Sequence, residues 1–201
     1  HAIVAENVLG KSTRKARELA LRHLSTLYGL ETTNPMFRML RRLWPLDASA
    51  QPLLAVVVAL ARDPLLRSTQ DFVLAQPAGV VVAREALAAL LSDRYQDRFS
   101  AASIQSFAQN VAGTWTAAGL LAGHRRKVRV APDVRPEVIA LLLFLGYLEG
   151  RTGQRLFSSD WMGLVSGAVA DIEGLTSSAS HRGLLAFMNP GGGQAIRFPG
   201  R

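Results

Sequence analysis

The amino-acid sequence predicts a mainly α-helical fold, a helical bundle with only short β-strands. Apolar residues recur three or four positions apart along most of the chain, as on the buried face of an amphipathic helix. Hydrophobic residues make up 49% of the 201 residues, enough for a sizeable core. The longest apolar runs, 53–61 and 138–148, are each about half as long as a membrane helix, which needs ~20 residues. We therefore expect both runs to form buried helices, with no membrane partner.

The stretch 100–130 carries the most specific pattern in the chain. Ser100 or Ser103 is expected to cap a long helix, because a serine hydroxyl accepts a hydrogen bond from an amide of the first turn. One face of this helix is apolar and holds Ile104, Phe107, Val111, Trp115 and Ala118. The opposite face holds the uncharged hydrogen-bonding residues Gln105, Gln109, Asn110 and Thr116. We expect the first face to be buried and the second to be free to bind.

A basic turn and a short strand follow this helix. After Gly-Leu-Leu and a turn at Gly123, four cations precede or alternate with two valines: Arg125, Arg126, Lys127 and Arg129. The layout is typical of a helix-turn-helix recognition helix followed by a β wing, with helical amides facing base edges and wing cations on phosphates. An amphipathic helix that ends in a basic turn is also common in proteins that bind no nucleic acid, and that alternative stays open.

The positive charge of the chain is concentrated in two segments. The formal net charge is +8, and residues 1–49 hold 8 Lys and Arg against 4 acids. Residues 100–135 hold 5 against 1, whereas 50–99 and 136–201 are each balanced at 5 against 5. A surplus of this size favours a polyanionic partner, either nucleic acid or an anionic membrane surface.

Two predicted helices in the N-terminal quarter carry basic faces. The first begins after Ser12, its expected cap, and ends at Gly29, and the second begins at Asn34 with a proline in its first position. Four residues of the second helix should point inward: Phe37, Leu40, Leu43 and Trp44. The basic residues outside the apolar stripes include Lys11, Arg14, Lys15, Arg17, Arg38, Arg41 and Arg42. A basic helical face is often only a solvated surface. Because two such faces occur here with few acids nearby, phosphate contact is about as well supported as a solvated surface.

The order of elements around the basic turn occurs twice. Residues 80–83 form a short strand or lead into a helix over 84–91, and the long helix and the wing follow. Predicted helices follow at 136–149, in a short stretch that contains Trp161 and is capped by residues 158–160, at 166–173 and at 180–188. The last of them includes Gly183-Leu184-Leu185, so helix, Gly-Leu-Leu, turn and strand recur there. A strand over 194–198 should close the chain, after the turn at 190–193. The sequence therefore predicts two winged-helix-like halves with short β wings.

These observations divide the chain into three parts. Residues 1–80 form a basic N-terminal helical part, 81–135 a winged-helix-like DNA-binding candidate, and 136–201 a second winged-helix-like half. A helix is also expected from Asp63 to Ala75. The second wing has only Arg197 and Arg201, so we expect a structural or a dimerising role for it, and the second of these roles would make the protein a homodimer.

Four stretches carry a resemblance to a known family. They are residues 7–14 (NVLGKSTR), 61–67 (ARDPLLR), the Gly-Leu-Leu at 119–121 with the basic residues 125–127, and the closing helix-to-strand. In this order they resemble the BrxA family, the small helical component of BREX phage-defence systems. The resemblance implies an all-helical protein with winged-helix character that binds double-stranded DNA beside other defence-system proteins and has no enzymatic activity. The Gly-rich second wing departs from the pattern, so the resemblance gives that half no DNA role.

A search for catalytic patterns finds none. The chain has no cysteine, no phosphate-binding glycine loop with a lysine, and no histidine pair at metal-ligand spacing. Its 15 acids are scattered, although a triad assembled in space stays open. We expect no enzyme, no cofactor and no metal site.

Three functions remain after this search. The first is a non-enzymatic DNA-binding accessory protein of a BREX-type defence system, placed in the cytoplasm because no signal-peptide pattern begins the chain. The second is a winged-helix transcription regulator, which needs a dimer and a palindromic site. The third is a helical scaffold that binds protein or RNA through its basic N-terminal face. Salt dependence and sequence preference separate them.

Overall fold

A computed structural model of the protein describes residues 1–188 and 195–199, and within them the fold is mainly helical with two small antiparallel sheets. The helices are α1 (Arg14–Tyr28), α2 (Pro35–Leu43), α3 (Gln51–Arg62), α4 (Pro64–Arg67), α5 (Gln70–Leu74), α6 (Arg84–Arg94), α7 (Ala101–Ala117), α8 (Pro136–Leu148), α9 (Asp160–Ser166) and α10 (Ile172–His181). The strands are β1 (Leu121–Ala122), β2 (Val128–Arg129), β3 (Ala186–Met188) and β4 (Ala195–Arg197), and Gly153–Leu156 forms a 3-10 turn. The mainly helical class predicted from the sequence is confirmed.

The two longest apolar runs form the centre of the core. In α3, seven of the residues from Leu53 to Leu60 are buried, and in α8 every residue from Glu137 to Gly146 is buried. The two helices pack against each other, α2 and α7 pack against α3, and α9 and α10 pack against α8. Both runs are therefore buried helices, as predicted. Among the described residues, every helix is too short or too polar to cross a bilayer.

The helix starts follow the expected capping chemistry, with one shift. The Ser100 hydroxyl accepts a hydrogen bond from the Ser103 amide at 3.2 Å, and Asn34 caps α2 through its side-chain oxygen. The predicted cap at Ser12 is wrong by one residue. Because α1 begins at Arg14, the hydroxyl of Thr13 is the one that reaches the free amide of Ala16, at 3.1 Å.

The first sheet joins the two ends of the α6–α7 helix pair. Strand β2 pairs with β1, which follows α7. On its other side β2 contacts residues 79–82, which precede α6: the Arg129 amide donates to the Val80 carbonyl at 2.8 Å, and the Val82 amide donates to the Lys127 carbonyl at 2.9 Å. The central position of β2 therefore fixes the entry of α6 relative to the exit of α7.

Helices α7 and α10 end in the same backbone arrangement. In α7, Gly119 has a φ of 77°, its amide donates to the Thr116 carbonyl, and the next amide, of Leu120, donates to the Trp115 carbonyl at 3.0 Å. In α10, Gly183 has a φ of 69°, and the amide of the following leucine donates to the carbonyl of Ala179. This is the Schellman helix ending, which needs a left-handed residue and so favours glycine. Both endings lead into an antiparallel hairpin.

Three local predictions are wrong, because local patterns missed where helices stop. The helix predicted from Asp63 to Ala75 is interrupted at Thr69, where α4 gives way to α5. The predicted helix at 166–173 is absent: α9 ends there, and α10 starts only at Ile172, where Asp171 caps it by accepting from Gly174 at 2.7 Å. The predicted helix at 180–188 is mostly turn and strand β3. The predicted turn at 190–193 and Arg201 lie outside the described residues.

Two tryptophans occupy opposite environments. The Trp115 side chain is 0% exposed, and its indole N–H donates to the buried hydroxyl of Thr69 at 3.0 Å. The prediction that Trp44 points inward is wrong, since Trp44 follows the last residue of α2 and is 40% exposed. Met36 and Met39 fill the inward positions of α2 instead.

A buried carboxylate joins α8 to α10. Glu137 is 0% exposed in the first turn of α8, where the positive end of the helix dipole favours a negative charge. The Nη2 atom of Arg182 lies 2.6 Å from its Oε1, although neither carboxylate oxygen accepts a hydrogen bond of good geometry among the described residues. Compensation of this carboxylate therefore rests on the charge of Arg182.

Replacing Trp115 by alanine should lower the free energy of unfolding by about 3–5 kcal/mol, because a large buried ring is lost and Thr69 loses its donor. Trp44→Ala is the matched control and should cost less than about 1 kcal/mol, as expected for an exposed side chain. Urea unfolding of both variants measures the difference. Equal costs would contradict the burial of Trp115.

Replacing Arg182 by methionine should lower the free energy of unfolding by about 2 kcal/mol, because the buried Glu137 carboxylate loses its cation. Adding Glu137→Gln to that variant removes the uncompensated charge and should restore part of the loss. Urea unfolding of the single and double variants tests the pair, and a double variant less stable than Arg182→Met would argue against it.

Candidate nucleic-acid interface

A groove of about 540 Å³ lies between the start of α6, one face of α7 and the loop that joins β1 to β2. The residues around it come from three separate parts of the chain: Val81, Val82, Ala83, Arg84, Glu85, Gln109, Ala112, His124, Arg125, Arg126 and Lys127. We call this the α7–wing groove, and residues 123–127 the wing loop. The sheet that holds both ends of the α6–α7 pair brings these segments together.

Positive charge dominates the α7–wing groove. Four cations line it, Arg84 and three from the wing loop, against one acid, Glu85. Arg125 and Arg126 are exposed, and no carboxylate of the described residues lies within salt-bridge distance of the three wing-loop cations. Glu85 instead contacts Arg84 at 3.4 Å. Unpaired, exposed cations on one wall are the arrangement that a phosphate backbone requires.

The wing loop has a tightly closed backbone. Gly123 has a φ of +100°, and a Cβ placed on it would lie 2.2 Å from the carbonyl oxygen of Arg126. The Lys127 ammonium donates to the Gly123 carbonyl at 2.8 Å across the same turn. Only glycine fits this position, so Gly123 determines where Arg125 and Arg126 are displayed.

Arg129 lies away from the groove surface, unlike the other cations predicted for the wing. It is 8% exposed, and its Nη1 atom donates to the carbonyls of Leu120, at 3.2 Å, and Val130. Burial lowers the pKa of its guanidinium by desolvation. The sequence prediction grouped Arg129 with the phosphate contacts, whereas the structure directs it to backbone carbonyls just after α7 and just after β2.

The amide face of α7 is divided between two sides of the helix. Gln109 lines the α7–wing groove, whereas Asn110 lines a separate cleft of about 480 Å³ against α1 and α3. Gln105 is exposed and Thr116 is half-buried, and neither lines these two cavities. Adjacent residues on a helix point about 100° apart, so residues 109 and 110 cannot share one narrow groove.

The predicted site cations in and just before α1 lie outside the α7–wing groove. Lys11, Arg14 and Lys15 are exposed, and Arg14 pairs with Glu18 at 2.9 Å. Arg17 is half-buried and donates to the Val4 carbonyl at 2.8 Å. The structure therefore leaves three cations of this group facing solvent and uses Arg17 to hold the N-terminal segment.

The cations of α2 face the C-terminal part of the chain. Arg38 and Arg42 line a pocket of about 140 Å³ with aromatic residues of α8 and Phe198. Arg42 donates to the carbonyls of Pro199, at 3.0 Å, and Gly183. Arg41 is exposed, with its guanidinium 6.0 Å from the ring centre of Phe37. The structure does not bring these three arginines to the α7–wing groove.

Among the arginines and lysines that line the groove, sequence reasoning missed Arg84. It is the first residue of α6, two positions after Val82, which ends the segment 79–82 that bonds to the β2 region. The short run of β-branched residues before it was the available signal, since a strand beside the wing would place the next residue at the groove. Among the described residues, no group of three or more His, Asp or Glu side chains is placed to hold a metal ion.

Comparisons with known proteins add no relative. No family model, curated protein or solved structure matches this chain.

Replacing Gly123 by alanine should destabilise the wing loop more than Gly79→Ala does. Both glycines have positive φ, which costs alanine about 1–2 kcal/mol, but an added Cβ at Gly79 meets no atom within 4 Å. The clash with the Arg126 carbonyl should add about 1–3 kcal/mol at Gly123, or open the loop locally. Urea unfolding and amide exchange of Val82, which donates to Lys127, measure both outcomes. Equal behaviour of the two variants would contradict the tight turn.

Proposed function

We propose that this protein binds double-stranded DNA through the α7–wing groove and has no enzymatic activity. The observation that carries the proposal is the meeting of Arg84, Gln109 and the wing-loop cations around one groove. These side chains come from three segments separated by about 15 to 25 residues in sequence, and all of them except Lys127 are exposed.

The order of elements supports the same interpretation. An extended segment, α6, α7 and the β1–β2 hairpin follow one another, with β2 between the extended segment and β1. In winged-helix proteins the second helix of such a pair lies in the major groove, which is about 12 Å wide and admits an α-helix. With α7 in that position, the wing loop would lie along the neighbouring phosphates.

The groove chemistry favours duplex DNA with weak sequence preference. Phosphate contacts supply affinity without sequence information, and Gln109 is the single amide side chain among the groove residues described. No phenylalanine, tyrosine or tryptophan lines the groove in the described part of the chain, so it lacks the stacking surface that single strands require.

The cellular role that we propose is that of an accessory protein of a BREX-type phage-defence system. The resemblance of residues 7–14, 61–67, 119–121 with 125–127, and the closing helix-to-strand to the BrxA family supports this role. Other proteins of the same system are the proposed partners, and the exposed cations Lys11, Arg14, Lys15 and Arg41 would add phosphate contacts outside the groove.

Replacing Arg125, Arg126 and Lys127 together by alanine should weaken duplex binding at moderate salt by more than about tenfold. It should also lower the salt slope of the affinity by about three, one for each lost phosphate contact. Fluorescence anisotropy with a random duplex at several salt concentrations measures both values. The matched control replaces Arg94, Arg98 and Arg155, three exposed cations that do not line the groove, and should change the affinity far less.

The same titrations separate the alternatives. Steep salt dependence with little difference between duplex sequences supports the accessory role, whereas strong preference for one palindromic duplex selects a transcription regulator. Tighter binding to RNA than to DNA, or no binding to either, overturns the proposal. An equal loss in the wing variant and in its control would remove the α7–wing groove from it.

A further inference from the structure

Arg129 connects three backbone segments that form the α7–wing groove. Its amide donates to the Val80 carbonyl at 2.8 Å, and its own carbonyl accepts from the Gly79 amide at 2.8 Å, so the residue is bonded to the segment before α6. Its side chain crosses to the Leu120 carbonyl at 3.2 Å, directly after α7. The residue itself lies in β2, two positions after the wing loop ends.

The Leu120 carbonyl oxygen lies where the backbone segments that Arg129 connects come together. It accepts the Val130 amide at 3.0 Å as well as the Arg129 guanidinium, while the Leu120 amide closes the ending of α7 on Trp115. A carbonyl oxygen has two lone pairs, so the Leu120 oxygen can accept the guanidinium beside the Val130 amide. A guanidinium is suited to this place, because it offers several donors in a fixed plane.

The charge of Arg129 has no acidic partner. No carboxylate of the described residues lies within salt-bridge distance of it, and its buried Nε atom has no hydrogen-bond acceptor there. A buried cation held only by carbonyls is costly, and a neutral side chain would avoid that cost. Its presence points to a task that needs the planar array of donors.

We propose that Arg129 is a positioning residue, which holds the wing loop at a fixed separation from α7 without contacting the DNA itself. The inference rests on the proposed function for its effect on binding, but the geometric part of it is independent of any ligand. A lost Arg129 would leave Arg125 and Arg126 charged and exposed, but no longer aligned with Gln109.

A double-variant cycle tests how Arg129 acts on binding. Arg129→Met in the otherwise unchanged protein should weaken duplex binding by about tenfold. The same change in the protein that already lacks the wing-loop cations should have an effect of less than about twofold, because their position no longer matters. An equal loss in both backgrounds would show an independent phosphate contact and overturn the proposal, as would an unchanged affinity in the first background.

A distance measurement tests the geometry without DNA. The chain has no cysteine, so spin labels can be placed on Ala102→Cys in the first turn of α7 and His124→Cys in the wing loop, both of which are exposed positions. The distribution of label distances should be narrow with Arg129 and should broaden or shift with Arg129→Met. Arg125→Met, a matched change on the loop surface, should leave the distribution unchanged.

The two experiments fail independently. If the unchanged protein does not bind the duplex, the proposed function fails, and the label distances still test Arg129. If the duplex binds and the distances are the same with methionine at 129, the positioning role fails alone. Circular dichroism verifies folding of each variant, and Arg129→Lys, which keeps the charge and one donor, replaces the methionine variant if that one does not fold. An unchanged distribution in the lysine variant together with unchanged binding would also overturn the proposal, because it would show that the planar donors are not needed.

Discussion

The buried indole of Trp115 is the constraint on which the geometry of the α7–wing groove depends. A helix packed only by small apolar residues can rotate about its axis at little cost, whereas a large ring with a directional hydrogen bond to Thr69 fixes one rotation. A shift of α7 by one residue would turn Gln109 by about 100° and remove it from the groove. Thr69 lies in the break between α4 and α5, where its hydroxyl can accept the indole N–H. The interruption between these two short helices therefore helps to determine the orientation of α7.

The two ends of the fold share a backbone plan but differ in their electrostatics. Helices α7 and α10 stop through the same glycine-dependent ending, and each leads into a hairpin. Around the first hairpin the cations are free of carboxylates, whereas Arg182 beside the second is engaged with the buried Glu137. Arg42 is bonded to carbonyls near the second hairpin as well. The first hairpin therefore displays two exposed arginines, Arg125 and Arg126, without carboxylate partners, whereas Arg42 and Arg182 near the second hairpin bond to other parts of the fold.

Sequence periodicity predicted the features that depend on one helix at a time. The buried face of α7, the cap at Ser100 and the two central helices follow from apolar spacing and local hydrogen bonding. Sequence periodicity gave wrong predictions where the position of a side chain depends on a residue from another part of the chain. The inward turn of Arg129 requires the Leu120 carbonyl, and the position of Arg42 requires residues more than 140 positions away. The helix bounds predicted around α10 were wrong for a different reason. Serine side chains there can form hydrogen bonds with the backbone, so serines at several positions resemble helix caps.

The α7–wing groove is assembled from residues 81–85, 109–112 and 124–127, and no two of these segments are adjacent in the chain. In the unfolded protein the same cations are present but not arranged, so an anion that requires the arrangement binds the native state in preference. Such a ligand shifts the folding equilibrium by mass action, by ~2.7 kcal/mol when it is present at one hundred times its Kd. The free energy of binding in the groove therefore adds to the free energy of unfolding of the protein, and groove occupancy raises its thermal resistance.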